Sequence, residues 1–375
     1  MNLIECKLGD LGKIVGGSTP STKDSENYGG NIPWITPKDL TNLKGRYVEK
    51  GERNITEKGY RSTSTKMLPP NSILFSSRAP IGYIAINKKE VCTNQGFKSI
   101  IPNSKVNYMF LYYLLKYNKN KVESLGIGTT FKEISVSVMK EIKVDIPETL
   151  EEQIKIAIIL SKLDEKIELN NNINNNLYEI QRCYFQKLFK YNNEYEIIKL
   201  SDICEISAGG DAPKDRSQIK NEIYAIPIIS NGIDNEGIYG YAKEAKITKK
   251  SITISARGTI GHKVLRNYDY YPIVRLISIF PKTNRVSSEY LFYILDDVEI
   301  IGTGTTQQQL TIPMVKDIKI KLFNKKLIEK FTLFSENMNN AIERNKRENE
   351  ILEQVRDELL PKLMNGEVDI DKIEI

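Results

Sequence analysis

The sequence predicts an α+β fold. Two similar mixed α/β domains are separated by two long antiparallel helices that form a coiled coil, the whole built as a pseudo-two-fold internal repeat. Three observations predict it. First, short motifs recur in the same order in both halves. Leu8-Gly9-Asp10-Leu11 answers Leu200-Ser201-Asp202-Ile203, and each runs on to a glycine pair, Gly16-Gly17 and Gly209-Gly210. Ser77-Arg78-Ala79-Pro80-Ile81-Gly82 answers Ala256-Arg257-Gly258-Thr259-Ile260-Gly261, and Gly126-Ile127-Gly128-Thr129-Thr130 answers Gly302-Thr303-Gly304-Thr305-Thr306. Second, each half is rich in strand-like runs and then turns helical. Third, two stretches carry the same heptad pattern. A repeat this long copies a whole domain rather than a solenoid unit, and two like domains in one chain can mimic a dimer, whose natural symmetry is a two-fold axis. The boundaries fall at 1–150, 151–192, 193–324 and 325–375.

The elements follow in order. Ser72–Ser76 and Ile81–Ile86 read as strands around an Arg-Ala-Pro turn, and Ser251–Ser255 and Ile260–Leu265 read the same way around Arg-Gly-Thr. A short helix comes next, Met109–Lys116 and Tyr290–Leu295. After a Gly-Thr loop, Ser135 and Thr311 stand as helix N-caps, with Pro313 just inside the second. A strand closes each domain at Ile142–Ile146 and Ile318–Leu322.

The helical stretches give the sharpest local signal. Steps of three and four run from Leu160 through Leu163, Ile167, Asn170, Asn174, Leu177, Gln181, Tyr184 and Leu188. The same steps run from Ser335 through Met338, Ile342, Asn345, Asn349, Leu352, Arg356, Leu359 and Leu363, offset by 175 throughout. Heptad spacing with two mid-seam asparagines marks a coiled coil in which the polar positions cost stability but fix register and partner. The alternative is two amphipathic helices packed separately, each on its own domain. Residues 151–189 as one helix would span about 58 Å at ~1.5 Å per residue, a spacer between two binding heads.

Charge is unevenly spread. Residues 1–150 hold 22 Lys and Arg against 14 Asp and Glu, a net of +8, while residues 325–375 hold 9 against 12. A basic first domain suits a polyanion such as DNA. Four scattered cysteines, Cys6, Cys92, Cys183 and Cys204, form no CxxC pair, and no apolar run reaches membrane-spanning length. A reduced, cytoplasmic protein that contacts no membrane is expected. With one histidine, His262, and no Walker A motif, the chain lacks the usual raw material for a catalytic triad, a His-rich metal centre or nucleotide hydrolysis. The Gly16-Gly17 and Gly126-x-Gly128 stretches lack a strand–GxGxxG–helix setting and read as turns. A non-catalytic binder with no metal and no cofactor of its own is expected.

The ordered motifs resemble the specificity subunit of type I restriction-modification systems. The residues that carry this are Lys7-Leu8-Gly9-Asp10 through Gly16-Gly17-Ser18-Thr19-Pro20-Ser21-Thr22, Ile32-Pro33-Trp34-Ile35-Thr36-Pro37-Lys38-Asp39-Leu40, Ser76-Ser77-Arg78-Ala79-Pro80-Ile81-Gly82 and Leu150-Glu151-Glu152-Gln153-Ile154. Ser230-Asn231-Gly232-Ile233 and Ile254-Ser255-Ala256-Arg257-Gly258-Thr259-Ile260-Gly261 look like a second version of the module. One departure is Leu322-Phe323-Asn324-Lys325-Lys326, where the first half has the Pro-Glu-Glu-Gln helix start; this leaves the start of the second helix open. The resemblance implies two target-recognition domains, each reading half of a split site on double-stranded DNA, and helices that dock two methyltransferase subunits. S-adenosylmethionine would then sit in those subunits, and ATP and Mg in restriction (translocase and endonuclease) subunits. A second possibility is the recognition subunit or scaffold of another DNA-modification system, binding DNA independently; a third is an enzyme acting on small substrates.

Affinity for DNA would come mainly from Lys and Arg against phosphates and specificity from base edges. Residues common to both halves cannot tell two half-sites apart, so Arg78 and Arg257 are expected to make a phosphate contact or a structural bond. The differing polar residues are the base-reading candidates. In the first half they are Ser18, Thr19, Ser21, Thr22, Lys23, Thr36, Lys38 and Arg61; in the second, Lys214, Arg216, Gln218, Asn231, Tyr239 and Tyr241. Because the two sets differ, an asymmetric bipartite target is expected rather than a palindrome. Trp34, the sole tryptophan, suits an anchoring or core position better than a base stack.

Overall fold

The computed structural model describes residues 1–41, 43, 45–78, 80–126, 133–302 and 308–373. Two compact units are formed, one from Met1–Asn172 with Asn345–Ile375, the other from Ile173–Arg344. The chain passes between them inside two 40-residue helices, Leu150–Phe189 and Lys325–Met364. Ala79 and the Gly-Thr loops at 127–132 and 303–307 lie outside the described residues.

In the first unit the opening strand Leu3–Lys7 pairs antiparallel with the closing strand Lys143–Pro147, so the domain is fastened at its own chain ends. A five-stranded sheet has the order Gly12–Gly16, Lys98–Pro102, Ile73–Phe75, Ile84–Asn87, Tyr47–Val48. A three-stranded sheet sets Tyr28–Ile35 between Arg53–Ile55 and Cys92–Thr93. The second unit repeats this plan. Tyr195–Lys199 pairs with Lys319–Phe323. Four strands, Cys204–Ala208, Ile277–Pro281, Ser251–Ile254 and Lys263–Arg266, form one sheet, and Ile226–Ile229 lies between Ile238–Ala242 and Tyr271–Pro272 in another. In both units the middle strand of the small sheet takes one parallel neighbour, Trp34 opposite Cys92 and Ile228 opposite Tyr271.

The strands after the Arg turns start later than the spacing suggests, at Ile84 and Lys263. Gly82 and Gly261 take φ of +90° and +86°, so the turn runs through them before extension resumes. Left-handed backbone there suits only glycine without strain.

Each core is sealed by a buried helix. Tyr108–Tyr117 buries Phe110 through Leu115 without interruption, and the Asn107 side chain accepts from the amides of Met109 and Phe110, both at 3.0 Å. Its counterpart Ser288–Ile294 is capped by Ser287, whose hydroxyl accepts from Tyr290 N at 3.1 Å. Ser135 caps as expected by accepting from Val138 N at 3.1 Å; Thr311 sits at the N-cap without a side-chain bond.

The long helices pair antiparallel within each unit. In the first, Asn170 donates to Asn349 Oδ1 at 2.9 Å and to Glu348 at 2.8 Å, while Arg356 meets Asp164 at 2.7 Å. In the second, Ser335 bonds Gln181, and Phe185 meets Phe331 edge-on with centroids 5.2 Å apart. The partner number falls as the helix number rises, the signature of opposed chains. Tyr184 packs on Phe334 at 4.3 Å, so this seam is aromatic where the other is polar. All members of both series, Leu160, Leu163, Ile167, Asn170, Asn174, Leu177, Gln181, Tyr184 and Leu188 with Ser335, Met338, Ile342, Asn345, Asn349, Leu352, Arg356, Leu359 and Leu363, are buried or half-buried. The first helix starts on Thr149, which accepts from Glu152 N and donates to its carboxylate. The second starts on Asn324, whose side-chain Oδ1 accepts from Lys326 N at 2.8 Å. Asn324 thus replaces the missing Pro-Glu-Glu-Gln start with an asparagine cap.

The sheet domain and helix pair of the first unit share a buried polar network. Tyr113 donates to Asp164 at 2.6 Å, and Arg46, 2% exposed, meets Glu168 at 3.1 Å and the Tyr113 hydroxyl at 3.5 Å. Burial, then the Asp164 charge and the bond to it, push the Tyr113 phenol far up, so it stays a donor. Gln153 adds a second tie. It accepts from Asn107 N at 3.0 Å and donates to the Lys105 and Pro147 carbonyls.

Candidate nucleic-acid interface

In the first unit the polar loop from Ser18 to Tyr28 is held from beneath. It leaves its strand at Gly17, where a Cβ would come within 2.1 Å of the Asn94 carbonyl and 2.3 Å of that of Thr93; only glycine lets the loop cross so closely. Trp34, 5% exposed, donates from its indole to Ser18 O at 3.1 Å. Tyr28 donates to Pro20 O at 2.8 Å, and Asn27 to Ser21 O at 3.0 Å. Thr19 bonds Gln95. Trp34 is therefore an anchor. The carbonyls of Ser18, Pro20 and Ser21 are held by these side chains, while Ser21, Thr22 and Lys23 are exposed.

Around this loop the expected residues divide. Thr36 gives its hydroxyl and amide to Asp39, both at 2.7 Å, and serves the start of a short helix. Lys38 is exposed and paired with Glu52 at 2.8 Å, a bond that raises its pKa. Arg61 is exposed and only 3.6 Å from Glu57, one helical turn away. Lys58, which the sequence did not single out, holds Asp24 at 2.9 Å and also Glu26.

The second unit builds a different loop on the same frame. Ser217 exchanges two backbone bonds with Tyr241, so the segment after Gly210 is added as a bridge to the strand Ile238–Ala242. Arg216 donates to Pro213 O at 2.9 Å and lies 5.7 Å from the half-exposed Tyr239 ring. Lys214 and Gln218 are exposed. Asn231 is a cross-link instead: it donates to Val274 O and accepts from Ala256 N, both at 2.7 Å.

The two shared arginines have unlike partners. Arg78 is 2.9 Å from Glu133, which also takes Lys98 at 3.2 Å. Burial alone would raise the Glu133 carboxyl, but hydrogen bonds and charge from Arg78 and Lys98 outweigh it and hold the group below its usual range. Arg257 donates instead to the amide oxygen of Gln309 at 3.0 Å. Arg275, absent from the sequence-based candidates, approaches the same oxygen at 3.5 Å. Its sequence signal is slight; what marks it is backbone, since Val274 and Arg275 take φ of +50° and +61°. His262 closes the turn after Arg257, its amide donating to Thr259 O at 3.1 Å, and its imidazole is held below the ordinary value by burial and then by Arg266.

The profile of the type I restriction modification DNA specificity domain matches the chain twice, over residues 4–179 and 192–353. The chain belongs to that family. It is 32% identical to the type I restriction enzyme MjaIX specificity subunit of Methanocaldococcus jannaschii, over 98% of this chain and 94% of that one. It is 32% identical to the EcoR124I/EcoR124II specificity subunit of Escherichia coli over 42% of this chain and 40% of that one. A crystal structure of a type I restriction-modification S subunit from M. genitalium shares the fold, with a TM-score of 0.59 at 19% identity across 97% of this chain and 96% of that one. The doubled profile falls on the two copies of the frame described above. Among the described residues of this specificity subunit, no helix is long and apolar enough to cross a membrane.

Proposed function

We propose that this chain is the DNA-reading subunit of a type I restriction-modification complex and recognises an asymmetric bipartite site on double-stranded DNA. The observation that carries the reading is one frame bearing two different exposed polar loops. Ser21, Thr22 and Lys23 crown one, Lys214, Arg216, Gln218 and Tyr239 the other. A common scaffold with divergent tips is what two half-sites of unlike sequence require, because specificity lies in base-edge contacts and the scaffold only has to bring them to the groove. The net charge of +8 over residues 1–150 favours association with a phosphate backbone.

In this reading the subunit is not itself an enzyme. Two methyltransferase subunits dock on the long helices and bring S-adenosylmethionine; restriction subunits bring ATP and Mg. The setting is cytoplasmic, where the DNA is. Thr36 and Asn231, whose polar atoms are engaged internally, position loops; Ser18 and Thr19 brace them. Co-expression with a methyltransferase subunit followed by methylome sequencing tests this. Exchanging residues 16–70 for those of a relative should change one half of the methylated motif and leave the other. A motif unchanged in both halves would refute the role given to these loops.

A further inference from the structure

In the second unit Arg257 and Arg275 converge on a single neutral oxygen, that of Gln309, at 3.0 and 3.5 Å. Among the described residues, Gln309 is what these two guanidiniums bond, and neither is paired with a carboxylate. Two cations directed at one point repel each other, and a single amide dipole does not offset that repulsion. In the first unit the equivalent position is filled. Glu133 stands where the repeat has Gln309, and its carboxylate pairs with both Arg78 and Lys98.

The cluster is held rigidly. Asn231 staples the turn at Val274 to the strand end at Ala256, and its backbone carbonyl accepts from Ser255 and Thr259 at 3.2 and 3.1 Å. The amides of Val274 and Arg275 donate to the carbonyls of Gly210 and Gly209 at 2.8 and 2.9 Å. These bonds maintain a left-handed conformation at two successive non-glycine residues, one of them β-branched, which is disfavoured unless the surroundings impose it. The outcome is an exposed Arg275 beside Arg257.

Resting on the DNA-reading function above, we propose that Arg257, Arg275 and Gln309 form a receptor for one phosphate diester of the DNA backbone, a site that the first unit lacks because Glu133 occupies it. Arginine pairs suit this ligand, since planar forks match phosphate oxygens and the positive field needs an anion. Asn231 is a positioning residue for the site. The contact fixes the orientation of the second unit on its half-site without reading a base.

The test is the salt dependence of binding to a random-sequence duplex by the full chain in complex with its co-expressed methyltransferase subunits, for wild type, Arg275→Gln and Gln309→Glu. Gln309→Glu installs the carboxylate that the first unit already tolerates, and melting curves check that both variants fold. Each should lower the slope of log K against log salt by about 0.9, the value for one phosphate contact. Slopes equal to wild type in both folded variants overturn the inference alone. A wild type with no salt-dependent binding overturns the DNA-reading function and takes the site with it. If inorganic phosphate at constant ionic strength raises the melting temperature of wild type but not of Gln309→Glu, while the DNA slopes stay equal, the occupant is the free ion and the diester assignment falls.

Discussion

Glu133 and Gln309 occupy the same place in the repeat and do opposite things to the arginine beside them. Glu133 sits 2.9 Å from Arg78 and 3.2 Å from Lys98, and those bonds hold its pKa down. A depressed folded-state carboxylate contributes stability that is present above its unfolded pKa and is lost as pH falls through the folded value. Glu133→Gln should therefore melt below wild type at neutral pH, and the gap should close through the acid side of the carboxylate range. A gap independent of pH would show that the carboxylate charge is not what matters there. The arginines were legible in the sequence because both halves carry them in the same motif. Their partners were not, because Glu133 and Gln309 lie far along the chain and reach the arginines only in the fold. Arg275 was illegible for another reason: its marker is a positive φ at Val274 and Arg275, which no residue type there announces.

The two long helices were the most legible elements. A heptad of apolar residues interrupted by matched asparagines marks buried positions directly, and no member of either series is exposed. What periodicity did not reveal was which residues meet. Asn170 bonds Asn349 at 2.9 Å, and Asn349 donates to Asn171 at 3.0 Å. This changes what leucine would do there. Asn170→Leu alone leaves the side-chain oxygen of Asn349 without its donor in a buried seam and should cost about 1–3 kcal/mol. The double change Asn170→Leu with Asn349→Leu should recover part of that loss in chemical denaturation while loosening register. A single variant as stable as wild type would deny the pair its role. Asp164 and its partner Tyr113 escaped the pattern, although Arg356, which meets the same carboxylate, lay on the heptad. Charged residues on a helix read as solvated, yet Asp164 is 5% exposed and satisfied on both oxygens, by Tyr113 and Arg356. Buried ion pairs leave no apolar trace to follow. The aromatic seam of the second unit was half visible: Tyr184 lay on the heptad, whereas Phe185 and Phe331 did not.

In the function proposed above, the two 40-residue helices act as the ruler between two readers. Adding one heptad to each helix, between Ile167 and Leu177 and at the matching place after Ile342, lengthens each by about 10 Å. The spacer of the methylated site should then grow by about three base pairs at 3.4 Å per pair along a strand. Adding it to one helix alone should abolish assembly, since the seam would lose register. Methylome sequencing of the doubly extended form is the measurement; an unchanged spacer with intact methylation would exclude the ruler.

The sequence alone determined the duplication, the heptad rods and the polar loops, because each depends on residue types at fixed local spacing. Tertiary structure decided which of those polar residues face outward and which are tied down. Thr36 and Asn231 turn inward to Asp39 and to Val274 and Ala256, while Ser21, Thr22 and Lys23 remain exposed on a loop pinned by Trp34. It also decided that one shared arginine meets a carboxylate and the other an amide. The physical reason is that a side chain's hydrogen-bond partner is set by three-dimensional proximity, and distant segments are brought together only when the core is packed.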